Sequence, residues 1–126
     1  MKKKQTTGKK FLFVSRWGES LDVAYAIQLE GNEVKLYIED KSSREIGLGF
    51  VKKVAKWEDY TDWADVIVFD YTGYGKIASD LRNSGKFVIG GAEYTDKLEL
   101  DRNFGQAELK KHKIKVLPSN EFTSFN

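Results

Sequence analysis

The feature that most constrains this sequence is an alternation of short apolar runs with segments of helical period. The runs are rich in Val, Ile and Phe and are bounded by glycine or charged residues, a pattern typical of buried strands. Such alternation predicts an α/β fold with an open, mostly parallel, Rossmann-like sheet and helices on both faces. The predicted strands are Phe11–Ser15, Val34–Ile38, a weak edge strand at Phe50–Ala55, Asp65–Asp70 and Phe87–Ile89.

The first and fourth of these runs are the most apolar, so we expect them to be adjacent and central in the sheet. Between the runs, apolar residues recur with a helical period, and glycine follows the last periodic residue as a C-cap. The remaining predicted elements are a helix over Ser20–Glu30, a helical turn near Arg44–Ile46, an amphipathic segment over Trp57–Ala64, a helix over Lys76–Asn83, and, after a loop at Gly90–Lys97, a last helix that buries Phe104, Ala107 and Leu109 and ends at His112.

Composition limits the classes of protein to which this chain can belong. The 126 residues suit one domain, and the formal net charge of +2 is too small to indicate a nucleic-acid partner. The chain has no cysteine and one histidine, which excludes disulfides, zinc–thiolate sites and multi-histidine metal sites within one chain. No run is apolar enough to span a bilayer, and no secretory signal follows the basic N-terminus. We therefore expect a cytoplasmic protein without a membrane partner.

Five lysines fall within the first ten residues. A charge run of this kind is typical of a solvated, poorly ordered tail. We accordingly expect residues 1–10 to form a basic leader and residues 11–118 to form the folded domain. His112 lies between lysines near a helix end, where a positive charge is favourable, and it is not expected to be catalytic.

Ligands of open parallel sheets bind at the carboxyl ends of the strands, so the loops there are candidate sites. The loop after the first strand contains Ser15, Arg16, Gly18 and Ser20. It precedes a helix whose free N–H groups suit an anion, with Gly18 allowing close approach and Arg16 adding charge. A plain turn with Ser20 as the helix N-cap explains the same residues, and a single glycine is not the dinucleotide-binding fingerprint.

The loop after the fourth strand contains Asp70, Thr72 and Gly73. Its carboxylate and hydroxyl could contact a small-molecule substrate from the end of a central strand. Alternatively, Asp70 bonds to loop amides and the glycine only permits the turn.

Arg102 breaks a local rule at the start of the last helix. Asp101 suits the positive end of the helix dipole, whereas a cation in the first turn is slightly unfavourable. Such an exception is explained either by a ligand that Arg102 binds or by a surface ion pair with a nearby acid.

Residues 9–126 resemble the N-terminal, pre-ATP-grasp domain of ATP-grasp ligases, and most of all that of phosphoribosylamine–glycine ligases. In those proteins a strand runs into Gly-Pro or Gly-Gly, an alanine-rich turn, a Leu-Glu motif ending in a basic residue, a helix and a His-Gly-Ile stretch. The first loop of the ligases also carries a Gly-Arg-Glu-His-Ala sequence, of which Gly18 and the Val23-Ala24 pair match while Glu19, Ser20 and Leu21 depart. The matching path here is Val88-Ile89-Gly90-Gly91-Ala92, Leu98-Glu99-Leu100-Asp101-Arg102, Phe104 and His112-Lys113-Ile114.

The resemblance implies an ATP-dependent carboxylate–amine ligase that uses ATP and Mg²⁺ in the complete enzyme. It implies that Arg102 contacts ATP, and that residues 119–126 begin a linker to a missing ATP-grasp domain. No cofactor and no catalysis are expected of this chain alone, because the metal carboxylates of such ligases lie beyond residue 126. Substrate contacts are expected from Ser15, Arg16, Gly18, Ser20, Asp70, Thr72 and Gly73.

A second hypothesis is a stand-alone, Rossmann-like module that binds a nucleotide or another subunit without catalysis. A receiver-like signalling fold is excluded, because that fold needs acids after the first strand and a lysine after the fifth. Here the first strand ends in Ser15-Arg16 and the fifth in Gly90-Gly91.

Overall fold

The computed structural model describes residues 8–124, which form a five-stranded sheet flanked by helices. Every strand pair in the sheet is parallel. The fold is therefore α/β and Rossmann-like, as the alternation of runs predicts. The elements are β1 Lys10–Ser15, α1 Leu21–Leu29, β2 Glu33–Ile38, β3 Lys52–Lys53, β4 Val66–Phe69, α2 Gly75–Asn83, β5 Phe87–Ile89, α3 Glu93–Leu100 and α4 Arg102–Lys111, with 3₁₀ turns at Lys41–Ser43 and Glu58–Tyr60.

The strand order is β3-β2-β1-β4-β5, so β1 is central and pairs with β4 on one side. This confirms the predicted adjacency of the two most apolar runs. From β1 the chain moves outward to β2 and β3, then crosses back to β4 and continues outward to β5. The direction of winding reverses between β1 and β4, and this reversal opens a crevice at their carboxyl ends, where ligands of doubly wound sheets bind.

Alternate side chains of β1 enter two separate cores. Leu12 and Val14 pack on one face with Ala78 of α2, whereas Phe13 packs on the other face with Ala24 of α1. The helices thus cover both faces of the sheet, as predicted. Because alternate side chains of β1 enter the two cores, almost none of their surface is exposed to solvent. A strand packed on both faces in this way holds the loop that follows it in a fixed position.

The Trp57–Ala64 segment packs its aromatic residues on the sheet, as its amphipathic pattern predicts. Trp57 is buried, and Tyr60 and Trp63 pack against the same core. The ammonium of Lys35 in β2 lies 3.2 Å from the centre of the Trp63 ring, a cation–π contact that compensates for its burial.

The second half of the chain departs from the sequence-based prediction. Residues predicted as a loop at Gly90–Lys97 mostly belong to α3, which ends at Leu100. Asp101 then caps α4 by accepting a hydrogen bond from the amide of Phe104. The break between the helices arises because Asp101 adopts an extended backbone and Gly105 lets α4 approach the Leu98 carbonyl closely.

Burial in this half is also lower than predicted. Ala107 and Leu109 are exposed, because α4 packs on α3 through Gly105 instead of entering the core. The run Phe87–Ile89 forms an edge strand, with Phe87 78% and Ile89 59% exposed, because in the described chain helices cover only one face of β5.

Three smaller predictions differ in extent. The edge strand β3 spans two residues, not the six of Phe50–Ala55, and the helical turn after β2 falls at Lys41–Ser43, not near Arg44–Ile46. Most of the predicted leader over residues 1–10 lies outside the described residues, and β1 begins at Lys10. Within residues 8–124, no helix has the length and apolar character needed to cross a bilayer.

Candidate functional site

The loops after β1 and β4 lie side by side at the crevice where the sheet reverses its winding. The backbone of Asp70 continues the pairing, with its amide donating to the Val14 carbonyl at 3.4 Å. The sheet therefore holds the first loop (residues 15–20) and the second loop (residues 70–75) next to each other, as the sequence predicts for strand ends.

The first loop is organised around a fully buried serine. The Ser15 hydroxyl donates to the Glu19 carboxylate at 2.9 Å and accepts from the Gly18 amide at 2.8 Å. The amide of Trp17 also donates to Glu19, at 3.0 Å. Gly18 has φ +94°, and a Cβ there would lie 3.0 Å from the Ile38 side chain. The loop is thus fixed by its own hydrogen bonds and by one glycine that its conformation requires.

The Glu19 carboxylate accepts hydrogen bonds from the Ser15 hydroxyl and the Trp17 amide within this loop. Burial raises the pKa of this carboxyl, but the effect of the nearby loop amides, first those of Glu19 and Trp17, and of the Ser15 hydroxyl outweighs it. The net result is a pKa below the ordinary value, so Glu19 is ionised at neutral pH. The Trp17 amide is therefore already bonded to a carboxylate of the chain, and the Gly18 amide to the Ser15 hydroxyl.

Asp70 plays a comparable role at the start of α1. Its carboxylate accepts a hydrogen bond from the Ser20 amide at 3.1 Å. Ser20 stands at the N-cap position, as one alternative predicts, but its side chain makes no capping hydrogen bond. Within the described chain, the Ser20 hydroxyl and one Asp70 oxygen are buried without a hydrogen-bond partner. Asp70 bonds to a loop amide, yet retains one oxygen available to a donor.

Arg16 is held by aromatic rings. The guanidinium carbon lies 4.8 Å from the centre of the Trp17 ring and 4.7 Å from that of Tyr71. The two rings meet edge to face at 4.9 Å, so they form a preorganised support for the cation. In residues 8–124, no carboxylate pairs with Arg16.

Glu39 follows the end of β2, next to Arg16 on the neighbouring strand end. The hydroxyl of Tyr74 donates to its carboxylate at 3.1 Å. Tyr74 stacks on Phe69 with ring centres 5.0 Å apart, which anchors the phenol. Burial of the ring, together with the charge and hydrogen bond of Glu39, raises the pKa of Tyr74 far above its ordinary value, so it stays a donor at neutral pH.

These residues line a cleft of about 200 Å³. Three residues predicted as substrate contacts meet in it, namely Arg16, Thr72 and Gly73. The sequence-based prediction named the loops at residues 39–47 and 70–75 as candidates, but it did not single out three further lining residues: Glu39, Tyr71 and Tyr74. The position of Glu39 directly after a strand was a usable signal, because carboxyl ends of parallel strands share one edge of the sheet.

The other predicted substrate residues lie elsewhere. Ser15, Gly18 and Ser20 do not line the cleft, and Ser15 and Ser20 are buried. Asp70 lines a neighbouring cleft of about 310 Å³ between the second loop and α3. Thr72 lines both clefts, and its hydroxyl donates to Glu99 of α3 at 2.7 Å.

Arg102 lies apart from both of these clefts. It is exposed at the first position of α4 and lines a third cleft, of about 650 Å³, with Asp101 and Asn103. Residues 119–121 form the other wall of this cleft. Among the described residues no acid forms an ion pair with Arg102, so the surface-pair explanation finds no partner there.

The described residues do not fit a Mg²⁺ site. Residues 8–124 contain no group of three or more His, Cys, Asp or Glu side chains arranged to hold a metal ion. Mg²⁺ takes oxygen ligands in near-octahedral geometry, and the side chains of these residues do not assemble such a set by themselves.

Fold and cleft together define a Rossmann-like α/β domain with a small polar crevice at its switch point. No protein-family model matches the sequence, and no curated protein resembles it at a significant level. Among solved structures, N5-carboxyaminoimidazole ribonucleotide synthetase from Thermotoga maritima is similar with a TM-score of 0.62 and 20% identity. The match covers 87% of this chain and 32% of that protein.

A second similar structure is a dehydrogenase. Shikimate dehydrogenase from Aquifex aeolicus is similar with a TM-score of 0.54 and 17% identity, over 88% of this chain and 51% of that protein. The chain therefore spans about a third of the first structure and about half of the second. At these identities, the similarity establishes the fold and nothing finer.

Proposed function

We propose that this chain is the N-terminal, substrate-binding domain of an ATP-dependent carboxylate–amine ligase of the cytoplasm. We further propose that the reaction is that of phosphoribosylamine–glycine ligase in purine biosynthesis. The observation that carries the proposal is the polar cleft at the switch point of a sheet similar to that of an ATP-grasp-family synthetase. The sequence path from Val88 to Ile114, quoted above, supports the same class of enzyme.

The proposal divides the work between this chain and a partner ATP-grasp domain. Substrate contacts come from the first and second loops, with Arg16, Thr72 and Gly73 in the cleft and Asp70 beside it. The partner domain supplies the Mg²⁺ ligands and activates a carboxylate as an acyl phosphate, which the amine then attacks. Arg102 contacts ATP held by the partner. Its cleft shares a wall with residues 119–121, which belong to the proposed linker.

A nucleotide-binding or subunit-interaction module without catalysis is the second candidate. It is favoured by the similarity to a dehydrogenase fold and by Glu39, since an acid after the second strand binds ribose hydroxyls in dinucleotide-binding domains. Against it, the first loop has one glycine in place of the three-glycine fingerprint. Its Trp17 amide is already bonded to Glu19 and its Gly18 amide to the Ser15 hydroxyl.

The test begins with the coding sequence beyond residue 126 and the neighbouring genes, in which we expect an ATP-grasp domain. The chain alone and the chain together with that domain are then assayed for ADP release with ATP, Mg²⁺, glycine and phosphoribosylamine. We expect ADP only when both parts and both substrates are present. ATP turnover by the pure chain would contradict the proposal. So would ADP release by the assembled pair that does not depend on glycine and phosphoribosylamine.

A further inference from the structure

We infer that the cleft between Arg16 and Glu39 binds a small zwitterion, an amino carboxylate whose carboxylate meets Arg16 and whose ammonium meets Glu39. This rests on the proposed substrate-binding role of the cleft and names the chemistry of its ligand. Four observations carry it: the placement of the two charges, their separate supports, the acids around them and the size of the cleft.

The backbone places the two charged residues side by side. Ser15 and Ile38 are the last register pair of β1 and β2. The pairing continues beyond them, because the Glu39 amide donates to the Ser15 carbonyl and the Asp40 amide donates to the Arg16 carbonyl, each at 2.9 Å. Arg16 and Glu39 are therefore neighbours at the edge of the sheet, and both line the cleft.

Neighbouring opposite charges usually pair, but each of these two contacts aromatic residues instead. The guanidinium of Arg16 lies against Trp17 and Tyr71, and the carboxylate of Glu39 accepts from Tyr74. No ion pair joins them in the part of the chain that the structure describes. Each charge is thus fixed by aromatic residues while retaining capacity for a further partner, because a guanidinium has five N–H donors and a carboxylate accepts several hydrogen bonds.

The surrounding charges favour a zwitterion over a phosphate ester. Arg16 is the one cation among the residues that line the cleft, and Glu39 balances it. Glu19 and Asp70 add two carboxylates in the adjoining loops, where Glu19 already accepts from the Trp17 amide and Asp70 from the Ser20 amide. A dianionic phosphate placed here would gain one cation and face several anions, whereas an amino carboxylate adds no net charge.

The volume of the cleft sets the size of the ligand. At about 200 Å³, it is smaller than the range of roughly 300–1,000 Å³ that is usual for drug-sized ligands. A short amino acid fits within it, with Tyr71 and Tyr74 against its carbon chain. Affinity for so few atoms should be modest, with a dissociation constant on the order of 1 mM.

The experiment is an NMR titration of the ¹⁵N-labelled 126-residue chain with glycine and with β-alanine. The indole N–H signal of Trp17 reports binding, and that of the buried Trp57 is the internal reference. Acetate and methylamine supply each charge alone, while inorganic phosphate and ribose 5-phosphate test the alternative anion. We expect saturable shifts with at least one amino acid, and at least about tenfold weaker binding of the single-charge compounds and the phosphates.

Substitutions of Arg16 and Glu39 test whether each residue contacts the ligand. Arg16→Gln and Glu39→Gln should each weaken binding at least about tenfold, because each removes one charged partner. Arg44→Gln and Glu45→Gln, exposed residues outside the cleft, are the matched controls and should leave binding unchanged. The inference is overturned if neither amino acid binds, if either phosphate binds more tightly, or if Glu39→Gln binds as the parent chain does.

The two proposals fail in different ways. If the chain does not bind the zwitterions but the assembled ligase still releases ADP in a substrate-dependent manner, only the ligand assignment is wrong. Zwitterion binding by a chain whose assembled form releases no ADP would remove the ligase and keep the ligand class of the cleft.

Discussion

The first loop and the start of α4 both carry an arginine that sequence patterns single out, yet the protein holds the two very differently. Arg16 lies on a base of buried strand and hydrogen-bonded loop, with a ring on each of two sides. Arg102 is exposed on a helix that packs on another helix, not on the sheet. The first arrangement is preorganised within this chain, whereas the second has no partner among the described residues.

This difference indicates which side of the molecule can act alone. A preorganised site loses little conformational entropy when a ligand arrives, so the proposed binding at the cleft would need no other domain. An exposed, long side chain must be ordered by its partner, which suits a contact that forms only when another domain supplies the ligand. Substitutions near the first loop should therefore change the stability of the isolated chain, and those near Arg102 should not.

The largest effect on stability is expected from Ser15→Ala. The change leaves the half-buried Gly18 amide without its acceptor and removes one donor from the exposed Glu19, at a serine that is itself fully buried. The free energy of unfolding should fall by about 1–3 kcal/mol, the usual cost of an unsatisfied buried group. Urea denaturation followed by tryptophan fluorescence measures it.

Ser119→Ala is the matched control on the other side, because Ser119 is exposed and lines the Arg102 cleft. It should change stability by no more than about 0.5 kcal/mol. If Ser15→Ala and Ser119→Ala change the free energy of unfolding equally, the proposed difference between the first loop and the start of α4 is wrong.

The sequence predicts the structure around the first loop better than the structure of the α3–α4 pair, and the reason is physical. Strand alternation and strand ends depend on local patterns, so β1, β4 and the loops after them could be located. The α3–α4 pair depends on one extended residue, Asp101, and on a close approach at Gly105, neither of which a periodicity reveals. Glu39 and Tyr74 lie in loops after predicted strands, but the contact between their side chains depends on the three-dimensional placement of those loops, which a local pattern does not give.

A smaller effect should appear at alkaline pH through Tyr74. Its pKa in the folded chain is raised, chiefly by burial and then by the Glu39 charge. Above pH 10 or so the unfolded chain loses this proton while the folded chain keeps it, so stability is complete below that pH and falls as the pH rises. One proton gives a slope of at most about 1.4 kcal/mol per pH unit, and solvent screening reduces it because Tyr74 is partly exposed.

Tyr74→Phe removes this proton and keeps the ring stacked on Phe69. The difference in unfolding free energy between parent and variant, measured by urea titration from pH 8 to pH 11, should narrow as the pH rises. A difference that stays constant over this range would show that Tyr74 contributes nothing to the alkaline loss of stability.

The smallest effect on stability is expected from Arg102→Ala. The side chain is exposed and has no ion-pair partner among the described residues, so the isolated chain should unfold within about 0.5 kcal/mol of the parent. In the assembled ligase the same change should weaken ATP binding by about 1–3 kcal/mol, the scale of a charge-assisted hydrogen bond to phosphate. Arg102→Lys should weaken it less, because a point charge still reaches a phosphate. Isothermal titration with a non-hydrolysable ATP analogue separates these results, and a variant that loses stability while keeping its nucleotide affinity would make Arg102 a structural residue like those beneath the first loop.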